Sequence, residues 1–254
     1  MSKLIDRLNQ TTKGTSRSLG FQVTRTATTN LKIHLLARAS KVGNANQLVE
    51  DTDGADGLLI NLPKADAKTM KMVAEAIVDI PWGWRLEDST GEIVKMVLKG
   101  GADFIVFPSD AALHMPEADS TGRILEVESS LSEGLVRAIN ELPIDAVLAT
   151  DEEGIEPALT WRHLMRYTRL AELLRKPLLV PIALEAGTSE LQALWNAGIA
   201  GVVATGRIKE LRGIIDRTAF PPRQRGEIGA LVPHPRAETS GEIEEEEIEE
   251  EEEE

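Results

Sequence analysis

The chain has 254 residues, is 42% hydrophobic and 28% charged, and contains no cysteine. It is long enough for one large or two small packed domains, and it excludes disulfides, thiolate metal sites and a cysteine nucleophile. The net charge is −14, but twelve glutamates and no basic residue fall in 238–254, which leaves the preceding residues near −2.

The first element is an amphipathic stretch around Leu4, Ile5 and Leu8. From residue 31 onward, short apolar runs alternate with helical patterns, and they do so eight times. The predicted strands are 33–38, 57–62, 81–86, 103–107, 123–128, 145–150, 178–184 and 200–205. Short apolar runs bounded by Gly, Pro and Asp are the mark of strands covered on both faces. Between them the spacing predicts helices. Residues 65–78 place Met70, Val73, Ala74 and Ile77 on one face, and 89–98 present Ile93, Met96 and Val97. Residues 132–141 follow Ser132, and 157–175 open on Pro157, a suitable first-turn residue. Residues 188–197 and 207–217 repeat the pattern, whereas the fourth unit offers only 111–115, barely one helical turn.

Strand alternating with helix implies parallel strands and right-handed crossovers. Eight repeats favour closure, which removes both sheet edges. The expected fold class is therefore α/β, a single (β/α)8 TIM barrel with a disordered acidic C-terminal tail; a seven-strand or open doubly wound sheet is the alternative. The expected organisation is a capping helix and loop over 1–30, the barrel over 31–218, a proline-containing linker over 219–241 and a polyglutamate tail over 242–254. Such a like-charge block repels itself and buries nothing.

Helix-facing positions of a barrel strand must be apolar, so the polar phase points inward. This phase selects His34, Leu36 and Arg38, then Leu59 and Asn61, then Gly83, Arg85 and Glu87. It continues with Ile124, Glu126 and Glu128, with Pro181, Ala183 and Glu185, and with Val203 and Thr205. Working residues of this architecture lie at the strand C-termini. The candidate catalytic groups are therefore Arg85, Glu126, Glu128 and Glu185, with Arg38 and Asn61 as substrate-binding groups. Arginine forks suit an anionic group, and a carboxylate suits either general-base work or a magnesium ion. The same residues could instead form an interior ion-pair network.

A second candidate lies after strands seven and eight, in Gly187-Thr188 and Thr205-Gly206-Arg207, where helix-start amides attract anions. The stretch Glu185-Ala-Gly-Thr-Ser-Glu-Leu-Gln-Ala-Leu-Trp-Asn-Ala-Gly-Ile-Ala-Gly-Val-Val-Ala-Thr-Gly206 resembles the phosphate-binding TIM-barrel superfamily. Its layout is strand end, glycine turn, helix, Ala-Gly-x-x-Gly-Val-Val and a glycine before the next helix; Gly100-Gly-Ala-Asp-Phe-Ile-Val-Phe107 has the same cadence. The resemblance implies phosphorylated small-molecule ligands and lyase, isomerase or aldolase chemistry. The chain departs from it by lacking a tandem glycine after strand seven and by ending strand eight in Thr-Gly rather than Gly-Ser.

Other chemistries find little support. Lys32 and Lys176 precede strands, whereas a Schiff-base lysine belongs at a strand end. No Gly-rich nucleotide loop or nucleophile elbow is present. His34, His114, His163 and His234 lack metal-ligand spacing, so no histidine-rich metal site is expected, no residue is assigned to a metal, and the cofactor is left unknown. Ser109-Asp110 and Asp151-Glu152-Glu153 belong to mouth loops. Trp82 and Trp84 are expected in the core, Trp161, His163 and Tyr167 in packing, and Arg162, Arg166 and Arg169 on a solvated helical face. With no basic footprint, no apolar run of about 20 residues and no leader-like core at the start, neither nucleic acid nor membrane is an expected partner. A small anionic metabolite and a second copy of the chain are the expected partners, and the cytoplasm the expected location.

Overall fold

The computed structural model describes residues 2–13, 31–64, 66–87, 91–112, 120–150 and 158–221. Met1–Arg223 forms one compact unit; Gln224–Glu254 forms a second, outside the described residues, and the expected tail lies within it. The first unit is a closed barrel of eight parallel strands in sequence order. The strands are β1 (His34–Ala39), β2 (Gly57–Ile60), β3 (Trp82–Arg85), β4 (Phe104–Pro108), β5 (Gly122–Glu128), β6 (Ala146–Thr150), β7 (Leu178–Pro181) and β8 (Gly201–Ala204). Pairing of β1 with β8 closes the ring and eliminates the open-sheet alternative. In-register partners run from Pro108, the last residue of β4, through Glu126, Leu148, Leu179 and Gly201 to His34, the first residue of β1. That stagger is what strand tilt in a closed barrel requires.

The helices are α1 (Lys3–Lys13), α2 (Ala45–Thr52), α3 (Ala67–Ala76), α4 (Gly91–Lys99), α5 (Glu133–Ile139), α6 (Trp161–Leu173), α7 (Thr188–Asn196) and α8 (Ile208–Arg217). α2 has no counterpart among the sequence expectations. It is eight residues long and starts where the Asn44 side chain accepts the Gln47 amide. α6 begins at Trp161 rather than at Pro157, because the Thr160 hydroxyl accepts the His163 amide and the Thr160 amide donates to His163 Nδ1. In the fourth unit, Ala111 and Ala112 are not helical, and the remainder of 111–115 lies outside the described residues.

Two apolar clusters follow from the alternation along each strand. The outer one packs Leu35, Leu58, Trp84, Ile105, Val147, Val180 and Val202 against the helices, and Trp82 and Trp84 belong to it as expected. The inner one holds Leu36, Leu59, Phe104, Val106, Ile124, Leu148, Leu179 and Val203, together with Leu4, Ile5 and Leu8 of α1. α1 therefore plugs the N-terminal end of the barrel. Room for it comes from Gly122, where a Cβ would lie 2.6 Å from Ile5 Cγ1.

One device repeats at the start of alternate strands. Asp56, Asp103 and Asp145 each directly precede an even-numbered strand's first residue. The Asp56 carboxylate accepts the Leu35 amide at 2.8 Å, and the Asp145 carboxylate accepts the Arg123 amide at 2.8 Å. Asp103 turns instead to α1, accepting the Lys3 and Leu4 amides and the Ser2 hydroxyl. Each satisfies amides at the lower edge that no ladder partner reaches.

Candidate functional site

The stagger sorts the inward side chains into layers of four drawn from alternate strands. Gly57, Phe104, Ala146 and Gly201 form the lowest, then Leu36, Gly83, Ile124 and Leu179, then Leu59, Val106, Leu148 and Val203. All three are apolar. The next layer toward the strand C-termini consists of Arg38, Arg85, Glu126 and Pro181. Polarity thus begins abruptly at the mouth, above a filled interior.

Within that layer Arg85 and Glu126 form a two-bond fork. Arg85 Nε donates to Glu126 Oε2 at 2.6 Å and Nη2 donates to Oε1 at 3.3 Å. Their side chains are 21% and 11% exposed, so little water competes for the pair. Arg85 Nη1 also lies 3.5 Å from Glu87 Oε1. Glu126 thereby orients the Arg85 guanidinium. Arg38, half-buried, belongs to the same layer.

The rim above carries Asn61, Thr150 and Thr205 from the even-numbered strands and Glu87 and Glu128 from the odd ones. The Asn61 amide still donates to Ala39 at 2.9 Å, which fixes the backbone there although β2 ends at Ile60. Glu128 is exposed, and its Oε2 accepts the Ser130 hydroxyl at 3.3 Å. Ser109-Asp110 forms an exposed turn after β4, while Asp151-Glu152-Glu153 lies outside the described residues.

The loops after β7 and β8 differ from expectation in one respect. β7 ends at Pro181, so Glu185 lies in a turn and is exposed rather than projecting from a strand into the barrel. Proline has no amide to extend a ladder. Gly187 precedes α7 as its N-cap, and its amide donates to Glu190 Oε2 at 2.6 Å. Thr188 opens the helix and is exposed. Gly206 has φ +80° and Arg207 φ +47°, so the chain turns through two left-handed residues before α8. Arg207 pairs with Glu210 and lies in the field of Glu185, which together hold its guanidinium above the ordinary range. These helix starts are therefore flanked by Glu185, Glu190 and Glu210. A phosphate approaching Gly187 must displace the Glu190 carboxylate.

Elsewhere, several expectations change. Trp161 is 83% exposed, whereas Tyr167 is buried and stacks on His163 at a centroid distance of 6.2 Å. Arg166 and Arg169 are not simply solvated. Arg166 Nη1 donates to the Ser129 hydroxyl at 3.4 Å, and Arg169 Nη2 donates to the Ser129 and Leu131 carbonyls at 3.2 and 2.6 Å, fixing the loop after β5. Lys176 donates to the Leu142 and Ile144 carbonyls at 2.9 and 2.6 Å, and burial lowers its pKa. An apolar cleft of about 360 Å³ lies on the outer face of β3, β4 and β5 beside α4 and α5, outside the barrel interior, and reaches the loop after β4 at Ser109. Among the described residues no group of three or more His, Asp or Glu is placed to hold a metal, and no helix is long and apolar enough to cross a membrane.

No protein-family model and no curated protein sequence matches the chain. Solved structures do match in fold. A mutant tryptophan synthase alpha-subunit from the hyperthermophile Pyrococcus furiosus superposes with a TM-score of 0.57 at 12% identity, over 72% of this chain and 91% of that one. Tryptophan synthase from Mycobacterium tuberculosis gives 0.53 at 13% identity, over 73% and 91%. An HpcH/HpaI aldolase from Desulfitobacterium hafniense gives 0.53 at 13% identity, over 75% and 96%. At such identities the likeness establishes the barrel and leaves the chemistry to the site.

Proposed function

We propose that the chain is a barrel enzyme of the lyase, isomerase or aldolase kind, acting on a small anionic metabolite at the strand C-terminal face. The observation that carries this reading is the charged layer of Arg38, Arg85 and Glu126 seated on a dry, filled interior. Guanidinium groups held there meet an anion against a low-dielectric floor, where charge attraction exceeds its value in bulk water. The solved barrels it resembles include enzymes named as tryptophan synthase and aldolase, which accords with this class.

The carboxylates and arginines divide into roles. Glu126 orients Arg85 and, being paired with it, does not take a proton from substrate. Glu128, exposed one inward position higher, is the group free to act as general base. Arg38 and Arg85 hold the anion, with Asn61 and Thr205 at the rim as hydrogen-bonding partners. Glu185 acts through Arg207. Because Glu190 occupies the Gly187 amide, a carboxylate-bearing metabolite suits the mouth better than one that needs its phosphate at the start of α7. No cofactor is assigned.

A second reading is favoured by the same fork. If the Arg85–Glu126 pair only seals the interior, the barrel is a non-catalytic binding or scaffold module. A thermal-shift screen with small carboxylates and sugar phosphates decides between them. The enzyme reading expects ligands that stabilise wild type but not Arg38→Gln, and turnover of such a ligand that Glu128→Gln abolishes while binding persists. Stabilisation that is equal in both proteins, or no stabilisation at all, rejects it.

A further inference from the structure

The opposite end of the barrel carries a second concentration of charge. A cavity of about 190 Å³ lies between the end of α1, the segment leading into β1, and α8. It is lined by Arg7 and Thr11 from α1, Lys32 and His34 around the start of β1, Asp56 and Arg212. Three cations from three separate elements therefore converge on one half-open cavity, against a single carboxylate in its lining.

That carboxylate is already engaged. Asp56 Oδ2 accepts the Leu35 amide at 2.8 Å and Arg212 Nη1 at 3.2 Å, with His34 Nδ1 at 3.7 Å. His34 Nε2 is turned the other way, 2.9 Å from the Thr11 hydroxyl and 3.2 Å from the Arg7 carbonyl. Asp216 stands outside the lining and pairs with Lys32 at 2.9 Å and with Arg212 Nη2 at 3.0 Å. The cations retain capacity. Arg7 donates to the Asp56 carbonyl at 3.0 Å, and meets no carboxylate among the described residues. Arg212 Nε is buried and has no hydrogen-bond partner among the described residues. An unsatisfied buried guanidinium N–H costs free energy until an acceptor reaches it, and Arg212 Nε, sealed as it is, meets one only when its side chain shifts toward the cavity.

We propose that this floor cavity is an anion site, distinct from the mouth, that takes a small oxyanion, either free phosphate or the carboxylate of a metabolite. Either offers several acceptor oxygens to the Arg7 fork and to the Lys32 ammonium, and to Arg212 Nε once that side chain turns toward the cavity, and the volume admits it with a short organic substituent. Because Arg7 belongs to the plug helix and Arg212 to α8, the bound anion ties the plug to the wall. Its consequence is stabilisation of the closed floor, by the mass-action gain of any native-state ligand. The proposal does not depend on the function proposed for the mouth.

The test follows the Arg212 Nε–H resonance of the full-length protein, together with melting temperature, during titration with inorganic phosphate and separately with citrate. Sodium chloride holds ionic strength constant. A saturable shift of that resonance and a rise in melting temperature are expected, with apparent affinity lowered at least about fivefold in Arg7→Gln and in Lys32→Gln, on the scale of one lost charge-assisted bond. Arg38→Gln, at the mouth, leaves the shift of the Arg212 Nε–H resonance and its apparent affinity unchanged, whatever part of the melting-temperature rise comes from ligand held at the mouth. Response to phosphate alone or to citrate alone identifies the oxyanion. Absence of a saturable shift, or its loss in Arg38→Gln but not in Arg7→Gln, overturns the proposal. Should Arg7→Gln unfold the plug, Lys32→Gln, at a partly exposed position, supplies the affinity comparison by itself, and an unchanged affinity there overturns the proposal equally.

Discussion

Asp103 and Leu4 are 99 residues apart, yet the Asp103 carboxylate accepts the Leu4 amide at 3.0 Å. The same carboxylate takes the Lys3 amide at 2.8 Å and the Ser2 hydroxyl at 2.6 Å, so a residue at the foot of β4 serves as the N-terminal cap of the plug helix. Helix starts leave such amides without internal partners, and an anion there also favours the helix dipole.

Asp103→Ala is therefore expected to lower stability by about 1–2 kcal/mol, the scale of a lost cap. Ser2→Ala, which removes one of the three donors, should cost less. Urea unfolding measures both. Equal midpoints for Asp103→Ala and wild type would show that the plug is held by Leu4 and Leu8 packing alone.

The Arg85–Glu126 fork makes a sharper prediction. Arg85→Met leaves Glu126 mostly buried without its cation, and Glu126→Gln leaves Arg85 only the longer contact to Glu87, so each should cost about 2–4 kcal/mol. The double variant should cost less than the sum, with a coupling of at least about 1 kcal/mol. A double-mutant cycle by denaturant titration reads this directly, and additivity would mean that the fork contributes nothing.

Gly83 faces Phe104 in the adjacent interior layer, and a Cβ there would lie 2.4 Å from the Phe104 ring and from its carbonyl oxygen. Gly83→Ala is expected to destabilise by about 3 kcal/mol, as overpacking in a filled core does. Gly91→Ala is the control, since open space surrounds that position. The two variants should separate clearly in melting temperature.

Asp56 predicts the acid limb of stability. Burial raises its pKa, but the His34 hydrogen bond, the Leu35 amide and the charges of His34 and Arg212 outweigh that and hold it below the ordinary value. A folded-state pKa below the unfolded one gives stability that is complete above the unfolded pKa and is lost as pH falls through the folded one. Wild type should thus lose stability as pH drops below about 4, while Asp56→Asn, already weakened at neutral pH, falls less steeply. Parallel curves for the two proteins between about pH 5 and 2 would remove Asp56 from the account.

Much of this was legible residue by residue. Arg38, Glu126 and Thr205 could be assigned to the barrel interior because a strand between a filled centre and a helix layer tolerates polarity only in one phase. The Asp before each of β2, β4 and β6 was equally visible as a recurring residue, but its purpose was not, since its acceptor role depends on which amide the fold brings near. Pro181 ended β7 early and carried Glu185 out of the barrel, and Thr160 rather than Pro157 started α6; both are local signals that competed with a longer apolar pattern.

Alternation of apolar runs with helical spacing by itself pointed to eight parallel strands and to most of the side chains that face inward, because burial on two faces leaves polarity only one phase. Closure of the ring was decided by the pairing of β1 with β8. Which arginine meets which glutamate was decided only by tertiary structure. Register places Arg85 in one layer with Glu126 and lifts Glu128 one position higher, and register is a property of neighbouring strands together, carried by none of them alone.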